Sequence, residues 1–157
     1  MNARAGFSQS SDAPEALARA WAASGALLAR PPDLVALFCA AEHAGSAHDL
    51  ADALSELAPD AAILGACAAD GVIGAGREQQ GGPALALLAA TLPEAARVTP
   101  FHAQIGEGRD GPELVGLPAP PAGAIVLALA DPHSTPVEEL VGGLGGAPLV
   151  GGFAGLG

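Results

Sequence analysis

The stretch Ile63 to Gln80, ILGACAADGVIGAGREQQ, sets a thiol, a carboxylate and an adjacent arginine and glutamate among four glycines. Backbone N–H groups at Gly65, Gly71 and Gly74 can face an anion with no side chain in the way. Arg77 is the natural partner of a carboxylate, and Glu78 or Asp70 of an ammonium group. Together they form the complement of an amino acid or small carboxylate. Cys67 is a thiol at a strand end, open to two readings: a nucleophile among backbone donors, or a small packing group. GVIGAG does not match the Gly-x-Gly-x-x-Gly spacing of a dinucleotide loop.

The elements that must carry these residues can be read around them. Residues 1–11 are polar and read as a flexible N-terminus. Asp12, Pro14 and Glu15 open a helix as cap, first-turn proline and capping-box acid, with Leu17, Trp21 and Leu28 as its apolar stripe. DLVALFCA, 33–40, reads as a buried strand. A second helix follows, capped by Ser46 with Asp49 and striped by Leu50, Leu54 and Leu57, and leads to a strand at AAILGAC. GPALALLAATL and ARVTPFHAQIG read as an antiparallel strand pair, and 106–123 as a loop. AIVLALA, a helix opened by Thr135, Pro136 and Glu138, and a last strand in APLVGGFAGLG complete the chain.

Strand, helix, strand and glycine turn therefore occur twice. AAILGACAADG lies on APLVGGFAGLG without gaps, pairing Ala61 with Ala147, Gly65 with Gly151, Ala68 with Ala154 and Gly71 with Gly157. Each copy carries an acid and a histidine after its first strand: Glu42 and His43, then Asp131 and His133. These residue types can serve a paired ligand or metal role, but histidines placed before a helix cap are more often simple polar loop residues. The fold class expected is α/β, with mixed sheets flanked by helices. Two βαβ-like units, related by an internal duplication, flank a central antiparallel strand pair and bring the two glycine loops together.

Composition narrows the function. Of 157 residues, 50% are hydrophobic and 15% charged, enough for a sizeable core in one domain over 12–157. The net charge of -11, with six arginines and no lysine, argues against nucleic acid and anionic membranes as partners. It also excludes a P-loop and Schiff-base chemistry from this chain. The N-terminus lacks an apolar signal region, so the expected compartment is the cytoplasm, with Cys39 and Cys67 as reduced thiols. No cofactor motif is present.

PDLVALFCA, ILGACAADGVIGAGRE, LALAD and APLVGGFAG together resemble the N-terminal domain of the FIST proteins, most specifically at Gly71, Val72, Ile73, Gly74, Arg77 and Glu78. Ala66 between Gly65 and Cys67, and Gln79 and Gln80 after Glu78, depart from the family pattern. The resemblance implies a sensory domain of signal transduction that binds a small polar ligand. It also implies a FIST C-terminal domain or signalling partner, and a chain cut short at its C-terminal end. Two other functions remain open: a thiol-dependent enzyme using Cys67, and a structural half-domain completed by a partner.

Overall fold

The computed structural model describes residues 1–68, 70–108 and 111–155. The chain divides into two compact units, Met1–Thr99 and Pro100–Gly155, where the sequence reading expects one domain. Both are α/β in character, with helices beside mixed or antiparallel strands.

The first unit is built on a four-stranded mixed sheet. Its strands are β1 (Asn2–Ser8), β2 (Leu34–Ala40), β3 (Ala62–Ala68) and β6 (Leu85–Thr91), in the order β1-β6-β2-β3. The residues read as a flexible N-terminus thus supply an edge strand. Polar side chains do not prevent this, because the ladder is made by backbone: Asn2 to Ser8 pair antiparallel with Thr91 to Leu85. Only Gly6 and Ser8 in this strand are buried.

Alternation along β2 and β6 divides the sheet into two faces. Val35, Leu37, Leu85, Leu87 and Ala89 face α1 (Ala13–Ala23) and α2 (Ala47–Leu57), whose Leu17, Leu50 and Leu54 complete this core. Each buried leucine contributes about 1.5–3 kcal/mol of transfer free energy. Ala40, Ala84 and Ala86, with Phe7 and Phe38, face the other way and pack against Val72 of β4 (Gly71–Gly74). That strand forms a hairpin with β5 (Arg77–Gln80).

Local signals locate α1 well. Asp12 Oδ1 accepts the Glu15 N–H at 2.8 Å, and Pro14 sits in the first turn. The helix stops at Ala23, so Leu28 reaches the core from beyond a 3₁₀ turn at Gly25–Leu27. Ser46 makes no side-chain cap, since a 3₁₀ turn at Ala41–Ser46 runs directly into α2, and Leu57 of the expected stripe is exposed. Arg30 ties the start of β2 to the end of β6. Its guanidinium reaches Asp33 Oδ2 at 2.8 Å and the Leu92 carbonyl at 2.7 Å, while Asp33 Oδ2 accepts the Leu92 N–H at 2.6 Å.

The expected antiparallel partner of β6 is corrected. Residues 96–103 form no strand, and β6 pairs with β1 and β2 instead. The pattern ARVTPFHAQIG contains alternation, but Pro100 and the polar residues around it end any ladder there.

In the second unit β7 (Gln104–Gly108) and β8 (Gly111–Val115) form an antiparallel pair that starts at the end of the expected strand ARVTPFHAQIG and runs into the stretch 106–123 read as a loop. β9 (Val126–Ala130) and β10 (Leu149–Phe153) pair in parallel, connected through α3 (Val137–Gly143). Val126, Leu140 and Leu144 form its core. The N-cap position is Pro136, without a side-chain bond from Thr135. Parallel pairs joined through a helix therefore occur in both halves of the chain, β2-α2-β3 and β9-α3-β10. Gly157 of the proposed repeat lies outside the described residues.

Candidate functional site

The register of β2 and β3 places Cys39 directly beside Cys67. Each is the next-to-last residue of its strand, so both stand at the carboxyl ends of the parallel pair, where α/β sheets tend to hold ligands. The two Sγ atoms are 2.8 Å apart. Cys39 is buried and Cys67 half-buried. Burial pushes the Cys39 thiol up to about 12, and the hydrogen bond and charge of Cys67 act in the same direction. Either thiol can donate in this contact.

His43 lies four residues beyond Cys39, in the 3₁₀ turn that packs against β2 and β3. It is 1% exposed, and among the described residues its Nε2 has no hydrogen-bond partner. Leaving such a group unpaired costs about 1–3 kcal/mol. The histidine expected in a loop is thus held inside the first unit. No hydrogen bond joins it to Cys67 among the described residues, where the thiol's partner is Cys39.

The stretch after Asp70 is a hairpin of two short strands, where the sequence reading expects a glycine loop. Ala75 and Gly76 have φ of 50° and 73°, the paired positive values of a primed two-residue turn. The turn closes on Gly74 and Arg77, which face one another in the ladder, so the Gly74 N–H points into the hairpin. Gly74 has a packing reason too: a Cβ there would sit 2.5 Å from the Ala86 Cβ. Gly71 begins the hairpin beside Asp70, which is exposed and whose carbonyl accepts the Gly81 N–H at 3.2 Å.

Neighbours along a strand point to opposite faces. Arg77 shares the face of Gly74, turned to the sheet, whereas Glu78 shares that of Ile73, which is 74% exposed. The two charges therefore do not converge. Glu78 accepts a bond from Gln80 at 2.6 Å on the outer face. On the inner face, Gln79 is bonded to Gln9 of the chain segment after β1. Arg77 makes no ion pair among the described residues.

Gly65 lies on the edge strand β3, where an added Cβ would meet the Leu37 carbonyl oxygen at 2.4 Å. In the second unit Gly151 holds the matching position on β10. Its φ is 141°, and a Cβ would fall 1.7 Å from the Ala128 carbonyl oxygen. Gly151 also lines an apolar hollow of about 220 Å³ with Leu140, Val150 and Phe153, without a charged side chain. His133 is exposed, and its N–H donates to Asp131 Oδ1 at 3.0 Å. The Ser134 hydroxyl at 2.6 Å and this N–H hold the Asp131 carboxyl below its ordinary range. Among the described residues no three metal-ligating side chains gather, and no helix is long and apolar enough to cross a membrane.

The pairing of Cys39 with Cys67 was missed from the sequence because 28 residues separate them. The available signal was their equivalent setting, FCA and ACA, at the ends of two apolar strands.

No curated protein and no solved structure matches this chain. A model of the FIST N domain matches residues 33–157, from β2 through β10. With most of its length so matched, the chain belongs to the FIST N domain family of sensory and signal-transduction domains.

Proposed function

We propose that the first unit is the ligand-sensing part of a cytoplasmic input domain, and that its ligand is a small carboxylate met by Arg77. The observation that carries this reading is the position of Arg77. It is an exposed arginine without an ion pair among the described residues, at the turn of a short hairpin fixed to the sheet through Val72 and Gly74. A guanidinium so placed offers two parallel N–H donors to a carboxylate. Glu78 on the opposite face cannot share the same ligand, which favours simple carboxylates over amino acids held at both ends. Binding acts as a signal where it favours one arrangement of the hairpin over another.

Thermal unfolding against a panel of small carboxylates, each paired with its α-amino counterpart, tests this. A ligand at 100 times its dissociation constant adds about 2.7 kcal/mol to stability. The shift should vanish in Arg77→Ala and survive in Glu78→Ala. No shift across the panel for the folded chain sinks the reading.

A second role, completion by a partner, is favoured by β10 in the second unit. All five of its residues are exposed, on a two-stranded sheet. An open edge of this kind is a template for strand pairing by a FIST C-terminal domain or a signalling partner. Concentration-dependent self-association, lost in Val150→Lys, would support an open edge; a chain that stays monomeric at every concentration would count against self-pairing.

A further inference from the structure

We propose that Cys39 and Cys67 form a reversible dithiol–disulfide site, oxidised by low-molecular-weight disulfides to a bridge between β2 and β3. The inference stands apart from the ligand reading, because it uses neither the hairpin nor Arg77.

Three observations carry it. The two residues are register partners on neighbouring parallel strands, which lie about 4.8 Å apart, inside the range of Cα separations that a disulfide spans. Their sulfurs are already 2.8 Å apart, about 0.8 Å more than an S–S bond. Their exposure is unequal: Cys67 is within reach of a small reagent, and Cys39 is 3% exposed. That inequality gives the pair an order of reaction. The outer thiol is attacked or attacks first, and the inner one resolves.

The step balances as thiol–disulfide exchange. Cys67, as its thiolate, attacks one sulfur of a small disulfide RSSR; a Cys67–S–S–R bond forms, the R–S–S–R bond breaks, and RS⁻ departs. Cys39 then gives up its proton to water as its sulfur attacks Cys67 Sγ; the Cys39–Cys67 S–S bond forms, the Cys67–S–S–R bond breaks, and a second RS⁻ leaves and takes up that proton. The proton that Cys67 had released to water is taken up by the first RS⁻. The protein loses two protons and two electrons overall, and RSSR becomes two RSH. Among the described residues β3 is the last strand of its sheet, so the bridge pins its C-terminal end to β2. A half-exposed bridge of this kind belongs to the labile, exchangeable class.

The folded chain is incubated with oxidised and reduced glutathione in graded ratios, quenched in acid and alkylated. Cleavage at glutamate divides the two cysteines, because Glu42 and Glu56 lie between them. The expected product is a chain lighter by two hydrogens. Its Cys39 and Cys67 fragments stay joined until reduced, native circular dichroism is retained throughout, and excess reduced glutathione reverses the change. In Cys39→Ser a mixed disulfide with glutathione should accumulate at Cys67; in Cys67→Ser the remaining thiol should stay unmodified while the chain is folded. The proposal is overturned if the wild type stops at a persistent mixed disulfide or links only between chains. It is equally overturned if Cys39 and Cys67 join only after the native signal is lost. The wild-type result decides the matter without either variant having to fold.

Discussion

Gly65 and Leu37 approach so closely across the β2–β3 ladder that a single added carbon on Gly65 would lie 2.4 Å from the Leu37 carbonyl oxygen. Backbone oxygen cannot swing aside as a side chain can, so the edge strand itself would have to shift. Gly65→Ala should therefore destabilise the first unit by about 1–3 kcal/mol, the range of an overpacked site. Gly45→Ala is the control, since nothing lies within 4 Å of a Cβ there and its effect should stay within about 0.5 kcal/mol. Urea unfolding of both variants checks the contrast; equal loss at the two positions would show that the close approach at Gly65 is relieved without cost.

The hairpin turn contains a residue that its geometry disfavours. Ala75 has φ of 50°, where an alanine Cβ crowds the following carbonyl and asparagine is better tolerated. Ala75→Asn should stabilise the chain by about 0.5–1 kcal/mol, raising the thermal midpoint by about 1–4 °C. A fall in the midpoint would mean that the turn is not of the primed type in solution.

Acid should weaken the start of β2. The bond from Arg30, then that from the Leu92 N–H, hold the Asp33 carboxyl below its ordinary value, while Arg30 is shifted up by the same contact. A depressed folded value means stability that is complete above the unfolded carboxylate value, about 3.9, and lost as pH falls through the lower folded one. Asp33→Asn should lower the thermal midpoint at pH 7. The gap from wild type should narrow steadily below about pH 4. A gap independent of pH would assign the effect of the substitution to something other than the carboxylate's charge.

Much of the fold was legible because it is set by local rules. Asp12 with Glu15 fixes the start of α1 through a bond spanning three residues, and DLVALFCA, an apolar run too short for a typical helix, supplies the buried strand β2. The glycine and proline pattern marked both strand–helix–strand stretches, and the segment from Gly71 to Glu78 carried the family. What stayed hidden depends on partners distant in sequence. Asn2 to Ala5, alternating polar residues with alanine, give no strong strand signal of their own; they are ordered by the ladder that Leu88 to Thr91 offer them. Arg77 and Glu78 look like a matched pair in sequence, yet the period of two along β5 turns them to opposite faces.

The sequence by itself determined the α/β class, the acidic and lysine-free surface and the family, since composition, periodicity and motif are properties of the string of residues. Tertiary structure alone decided that Cys39 meets Cys67, that His43 is buried, and that the glycines at 65 and 74 make room for a neighbouring carbonyl and side chain. The reason is physical: these relations are created by sheet register, and a shift of one residue would send every side chain of β3 to the other face.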